Sequence, residues 1–221
     1  LSALQVSILA QLHALDIKAI GASHLGRQED FAGRTLRGWL SRLEGASSSV
    51  PKEARQLFDW LSAASPRDER RSVIHNDFKL DNVIVDPVSL KPRAVLDWDM
   101  STLGSPFFDL ATLLTYWISP SDPEGLQGIN LTHSQSSGAL SRRELVDLYL
   151  STSGYDSKRE EDELCFFVGL AFAKLGVVCM QLYDRFLHDP DGHQRNEKFG
   201  PAIPAARSED TRLNSSHPSR S

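Results

Sequence analysis

The sequence predicts an α+β fold, mainly helical, with one small β region. Two observations predict it. Apolar residues recur at helical spacing along most of the chain. Between residues 72 and 96, three short runs rich in β-branched residues (72–75, 83–86 and 93–96) are divided by polar residues and by an Asp86–Pro87 turn.

The elements follow in order. Residues 1–15 read as an amphipathic helix with Leu1, Leu4, Ile8, Leu12 and Leu15 on one stripe. A second helix spans 31–43, and residues 45–49, rich in Ser, form a linker. Pro51 opens a helix that carries Leu57, Phe58, Trp60 and Leu61. After the strands, Ser105 is an N-cap and Pro106 the first position of a strongly apolar helix to Ile118. Residues 120–138 read as a long loop near an acceptor site. Ser141 and Glu144 form a capping box, and that helix ends near Gly154. Residues 164–183 are the longest apolar stretch. Lys174 at its centre would cost about 2.5–3.5 kcal/mol in a bilayer, so a buried core helix is the better reading.

With 221 residues, 40% hydrophobic and 24% charged, one domain is the default. A net charge of −5 gives no electrostatic footprint for nucleic acid or an anionic membrane. Cys165 and Cys179 lie on one helix, roughly 20 Å apart, too far for a disulfide. Free, buried thiols and a cytoplasmic location are expected. No Cys-x-x-Cys spacing supports zinc.

The chemistry concentrates after residue 73. Asp77, Lys79 and Asn82 lie between two strand runs, and Asp97 follows the third. A carboxylate, an ammonium, an amide and a second carboxylate at strand ends meet the needs of phosphoryl transfer from a Mg-nucleotide. Asp77 can accept a hydrogen bond, and later the proton, from an acceptor hydroxyl. Asn82 and Asp97 offer neutral and anionic oxygen ligands for Mg²⁺. Each residue also has a plain reading. An isolated Asp-x-x-x-x-Asn is usually a solvated turn, His75 a hydrogen-bonded core residue, Asp109 a carboxylate facing a helix dipole, and Lys79 surface charge.

Residues 75–82, His-Asn-Asp-Phe-Lys-Leu-Asp-Asn, resemble the His-Gly-Asp-x-x-x-x-Asn catalytic loop of the aminoglycoside phosphotransferase family. Residues 96–99, 103–106 and 109–111 resemble its metal-binding segment and the helix after it. The match is nearest to the subgroup that resembles the kinase-like domain attached to some acyl-CoA dehydrogenases, in which a segment like residues 12–16 lies upstream. The resemblance covers roughly residues 1–205. It implies the mainly helical C-terminal lobe of a protein-kinase-like fold, with a small β-hairpin carrying the catalytic loop. It also implies ATP and Mg²⁺ as cofactors. Asp77 would be the catalytic residue, with Lys79 beside the transferred phosphate, where its charge helps both catalysis and nucleotide binding. Asn82 and Asp97 would bind metal and nucleotide, and His75 and Asp109 would brace the loop. Two positions depart from the family. Asn76 replaces Gly, and Ser105 replaces Asp; Asn tolerates positive φ and Ser still caps.

The kinase-like fold places a small lobe before such a segment, carrying a Gly-rich loop and a strand Lys. No Gly-x-Gly-x-x-Gly occurs here, so that lobe is expected to be absent and this fragment inactive by itself. At the other end, residues 211–217 back-translate without mismatch to part of a common sequencing adapter. Residues 207–221 are therefore expected to be adapter-derived or, alternatively, a Ser-rich disordered tail; residues 1–206 form the lobe. The expected function is ATP-dependent transfer of the γ-phosphoryl group to a hydroxyl of a small molecule, either a hydroxyacyl-type or an amino-sugar or alcohol acceptor. The alternative is a catalytically silent kinase-like binding module. A metal-dependent hydrolase is third, because it would want more carboxylate or His ligands.

Overall fold

The longest apolar run becomes the spine of the molecule. In the computed structural model, α7 (Glu161–His188) runs through the core and packs against α2 (Phe31–Ala46), α3 (Lys52–Ala64) and α4 (Pro106–Tyr116). The structure describes residues 1–27, 29–46, 50–66, 70–128, 136, 138–156, 160–189 and 194–202. The expectations for the 45–49 linker beyond residue 46, for most of 129–137 and for 207–221 lie outside them. By length and composition α7 could cross a membrane, but 56% of its apolar window is buried inside the fold. An apolar helix already covered by protein is a core helix.

Next to it, α4 is buried at every position from Pro106 to Thr115. Its sequence is apolar apart from Asp109, Thr112 and Thr115, as suits a central helix. Phe108 sets its ring edge-on to Phe31 and to Phe167 of α7, with centroids 5.5 and 6.0 Å apart. Ser105 caps α4, its Oγ accepting from Phe107 N and donating to Glu163 Oε1 at 2.9 Å. The helical layer is completed by α1 (Ser2–His13), the short α5 (Glu124–Gly128) inside the predicted loop, and α6 (Arg142–Ser153). The capping box of α6 is formed, and Gly154 ends it at φ 70°.

Three expectations need correction. The buried face of α1 is Ser2, Gln5, Val6, Leu9 and Leu12. Leu1 and Leu15 are exposed. Two polar residues turn inward and shift the stripe; Ser2 Oγ accepts from Leu140 N at 3.2 Å. Cys179 is buried but Cys165 is exposed. Only one flank of α7 is covered near its start, and Cys165 is on the other.

The third correction concerns the β region, which is two antiparallel pairs. β1 (Ser72–Ile74) pairs with β4 (Thr102–Gly104), and β2 (Val83–Val85) pairs with β3 (Pro92–Val95). The three-residue β4 is too short to show alternation. The expected small hairpin is β2–β3, and the loop of residues 75–82 runs into it from β1; the pairing of β1 with β4 is the part the sequence did not reveal.

Gly104 marks the tightest point of the first pair. An added Cβ would come within 2.8 Å of Ile74 Cδ1 and the Phe31 ring, both buried. Gly104→Ala is expected to lower stability by about 1–3 kcal/mol through overpacking, read from the urea midpoint against Gly38→Ala, where nothing is near.

Candidate active site

A buried carboxylate organises the loop that follows β1. Asp109 sits in the first turn of α4 and is fully buried. Its Oδ2 accepts from His75 N at 2.6 Å and its Oδ1 from Asn76 N at 2.6 Å. A third bond reaches Oδ2 from His13 Nε2 at 3.2 Å. A carboxylate can only accept, so this His13 nitrogen carries the hydrogen. Nδ1 is then free to accept from the Tyr149 hydroxyl at 2.7 Å. Asp109 thereby ties α1, α4, α6 and the loop together.

The same logic fixes His75. Its Nε2 donates to Leu96 O at 2.8 Å, which leaves Nδ1 as the acceptor for Asp77 N at 3.3 Å. Asn76 has φ 68°, the left-handed conformation for which Gly or Asn is suited. Its Nδ2 donates to Met100 O at 3.0 Å. The Asn76 and Ser105 departures are thus accommodated by the backbone and the cap.

The candidate catalytic side chains project from this braced turn. Lys79 Nζ donates to Asp77 Oδ2 at 2.5 Å, and both side chains are 19% exposed. The Lys79 ammonium also lies 5.3 Å from the centre of the Tyr116 ring. Burial and the nearby Asp77 charge push the Tyr116 phenol well above its ordinary range. Asn82 Nδ2 donates to Asp77 O at 3.0 Å, so Oδ1 is left as the acceptor atom of that amide. Phe78, wholly buried, anchors the turn from below.

Asp97 is brought alongside through its neighbour. Leu96 N donates to Asn82 O at 2.8 Å while Leu96 O accepts from His75. Asp97 then takes φ 64° and stands exposed. A non-Gly residue held in this conformation stores about 1 kcal/mol or more of strain, as functional sites often do. Asp77, Lys79, Asn82, His75 and Asp109 therefore form one bonded set, and Asp97 joins it through the backbone of Leu96. Among the described residues, no three His, Cys, Asp or Glu side chains converge as a closed metal cage. Asn82 Oδ1 and Asp97 are hard oxygen donors of the kind Mg²⁺ takes singly, with water and phosphate oxygens completing its shell.

Sequence reasoning gave no role in the site to His13, Tyr149 or Lys174. Lys174 Nζ, from the middle of α7, donates to Asn76 O at 2.6 Å. The available signal was a lone cation in the centre of a core helix.

Comparison with known proteins shows the family to which this chain belongs. The model of the phosphotransferase enzyme family matches residues 3–145, and the chain belongs to that family. Human acyl-CoA dehydrogenase family member 11 is 32% identical over 186 residues, covering 82% of this chain and 23% of that protein. The chain thus spans about a quarter of that relative's length. A solved structure from Ralstonia eutropha JMP134, described as a candidate aminoglycoside phosphotransferase, superposes with TM-score 0.75 at 22% identity. The match covers 93% of this chain and 63% of that one. The macrolide 2'-phosphotransferase MphH from Brachybacterium faecium superposes with TM-score 0.52 at 16% identity, covering 90% and 58%. The fold is the expected α+β, mainly helical, kinase-like one.

The positive φ of Asn76 gives a test of the loop. Asn76→Gly should stay within about 1 kcal/mol of the parent, because relief of strain offsets the lost bond to Met100. Asn76→Val should cost about 2 kcal/mol or more. Thermal or urea unfolding of both variants checks this.

Proposed function

We propose that the chain carries the catalytic loop and metal ligands of an ATP-dependent phosphotransferase acting on a hydroxyl of a small molecule. The observation that carries the reading is the single loop in which Asp77, Lys79 and Asn82 are hydrogen-bonded to one another above the Asp109 brace. In this reading Asp77 accepts a hydrogen bond from the acceptor hydroxyl through Oδ1, since Oδ2 is held by Lys79, and takes the proton as the phosphoryl group transfers. Lys79 supplies positive charge at the same point. Asn82 and Asp97 would hold Mg²⁺, which offsets phosphate charge when bound.

Similarity to an acyl-CoA dehydrogenase family member supports a hydroxyacyl-type acceptor. An amino-sugar or alcohol acceptor is the family alternative. The net charge of −5 favours a partner other than nucleic acid or an anionic membrane, and the free Cys165 and Cys179 thiols support a reducing, cytoplasmic compartment.

Kinetics test the roles when the chain is joined to a kinase-like N-terminal lobe. Asp77→Asn should cut turnover by roughly 10²-fold or more with Mg-ATP affinity nearly unchanged. Asn82→Ala and Asp97→Ala should weaken Mg-ATP binding as well. Near-parental turnover in Asp77→Asn would remove Asp77 from the reaction.

A second outcome concerns the chain by itself. Ile84, Val88, Leu90, Leu96, Trp98 and Met100 leave exposed apolar surface on and beside the β2–β3 pair, next to Asp97. In this reading that surface would be one wall of a nucleotide cleft and would supply few ligands. Calorimetry should find Mg-ATP binding weaker than micromolar, and sedimentation should show weak self-association through this surface. Micromolar binding with turnover would show that the nucleotide sits elsewhere.

A further inference from the structure

Lys174 lies at the middle of α7 among apolar residues and is only 9% exposed. A lysine on a core helix ordinarily runs its stem along the surface and keeps its ammonium in water. This one turns inward. Its Nζ donates to Asn76 O at 2.6 Å and lies 5.5 Å from the centre of the Phe108 ring. Burial pushes its pKa down, and the charges of Asp77 and Asp109 act in the opposite direction. Lys79 and Arg42 are the other charges that face it.

The accepting carbonyl has a specific position in the chain. It belongs to the peptide unit that joins Asn76 to Asp77. The N–H of that same unit donates to His75 Nδ1 at 3.3 Å. The unit is planar, so holding its oxygen from one side and its N–H from the other fixes its rotation. The preceding unit is already fixed, because Asn76 N donates to Asp109 Oδ1. Two consecutive peptide planes clamped in this way set where the chain enters Asp77 and hence where its Cβ and carboxylate begin.

We propose that Lys174 is a positioning residue for Asp77, clamping the Asn76–Asp77 peptide against His75 so that the Asp77 carboxylate is presented in one orientation. The clamp belongs to this chain whatever its reaction; its catalytic consequence rests on the phosphotransferase reading. A plain packing role for Lys174 predicts something different. Lys174→Met keeps the length and apolar bulk of the side chain and removes only the cation and its donors.

The test is amide hydrogen exchange on the full chain, residue by residue. Lys174→Met should speed exchange at Asp77 N at least tenfold more than at the core amides of α4, such as Leu110 and Leu113. Lys174→Arg, which retains a cationic donor, should restore part of the protection. Equal acceleration at all these amides, or none at Asp77, would overturn the clamp. Should Lys174→Met not fold, Lys174→Gln is read against the same criteria. With the chain joined to a kinase-like N-terminal lobe, Lys174→Met should lower kcat about tenfold with the KM for ATP unchanged; parental kcat would overturn the positioning role. A clamp verified by exchange in a protein without phosphoryl transfer would instead overturn the phosphotransferase reading and leave the clamp in place.

Discussion

The Asp109 carboxylate is the constraint on which the site depends. An ionised group with no solvent contact is costly unless its acceptor capacity is filled by donors. Here two backbone N–H groups and an imidazole fill it. Hydrogen bonds to a charged group contribute about 1.5–3 kcal/mol each, and leaving the partners unpaired in the interior costs a comparable amount. The donors come from the turn after β1 and from α1, while the carboxylate is carried by α4. The energetics of one buried charge thus register a loop against two helices. The position of Asp77, one residue beyond the braced pair, is inherited from that registration.

Tertiary closure explains what was legible in the sequence and what was not. The capping box at Ser141, the Ser105–Pro106 start of α4 and the Gly154 stop are local signals, and the structure shows each of them. The left-handed Asn76 was readable too, because a Gly-to-Asn exchange against the family pattern points to one region of backbone space. β4 carried no such signal, since a three-residue strand ending in Gly has neither alternation nor length. The inward face of α1 was misjudged for a related reason. Ser2 and Gln5 are buried by their neighbours, and periodicity counts only apolar side chains.

The site residues divide the same way. The set from His75 to Asn82, with Asp97 and Asp109, was visible as types and order. The bonds that link them were not, because they join positions as far apart as His75 and Asp109, 34 residues, and the brace from His13 to Asp109 spans 96. A lysine in a core helix was read at first only as an objection to a membrane span. Its actual partner is a carbonyl 98 residues away in sequence, which no window along the chain can include.

Charge near Asp77 is arranged so that its balance changes with what enters the site. Asp77 is paired to Lys79 at 2.5 Å, and the buried Lys174 lies one peptide away. The two cations are balanced by two carboxylates, the half-buried Asp77 and the buried Asp109, so an incoming anion must share a cation that is already paired. On the phosphotransferase reading, that anion is the phosphoryl group in transfer. Lys79 is only partly buried and sits on a flexible stem, so it can divide its donors between Asp77 and phosphate oxygens. Lys174 has no such freedom, because its ammonium is enclosed between Phe108 and the Asn76 carbonyl. One lysine can therefore follow the reacting charge while the other holds the backbone beneath it. That division of labour follows from burial, the one property in which the two cations most differ.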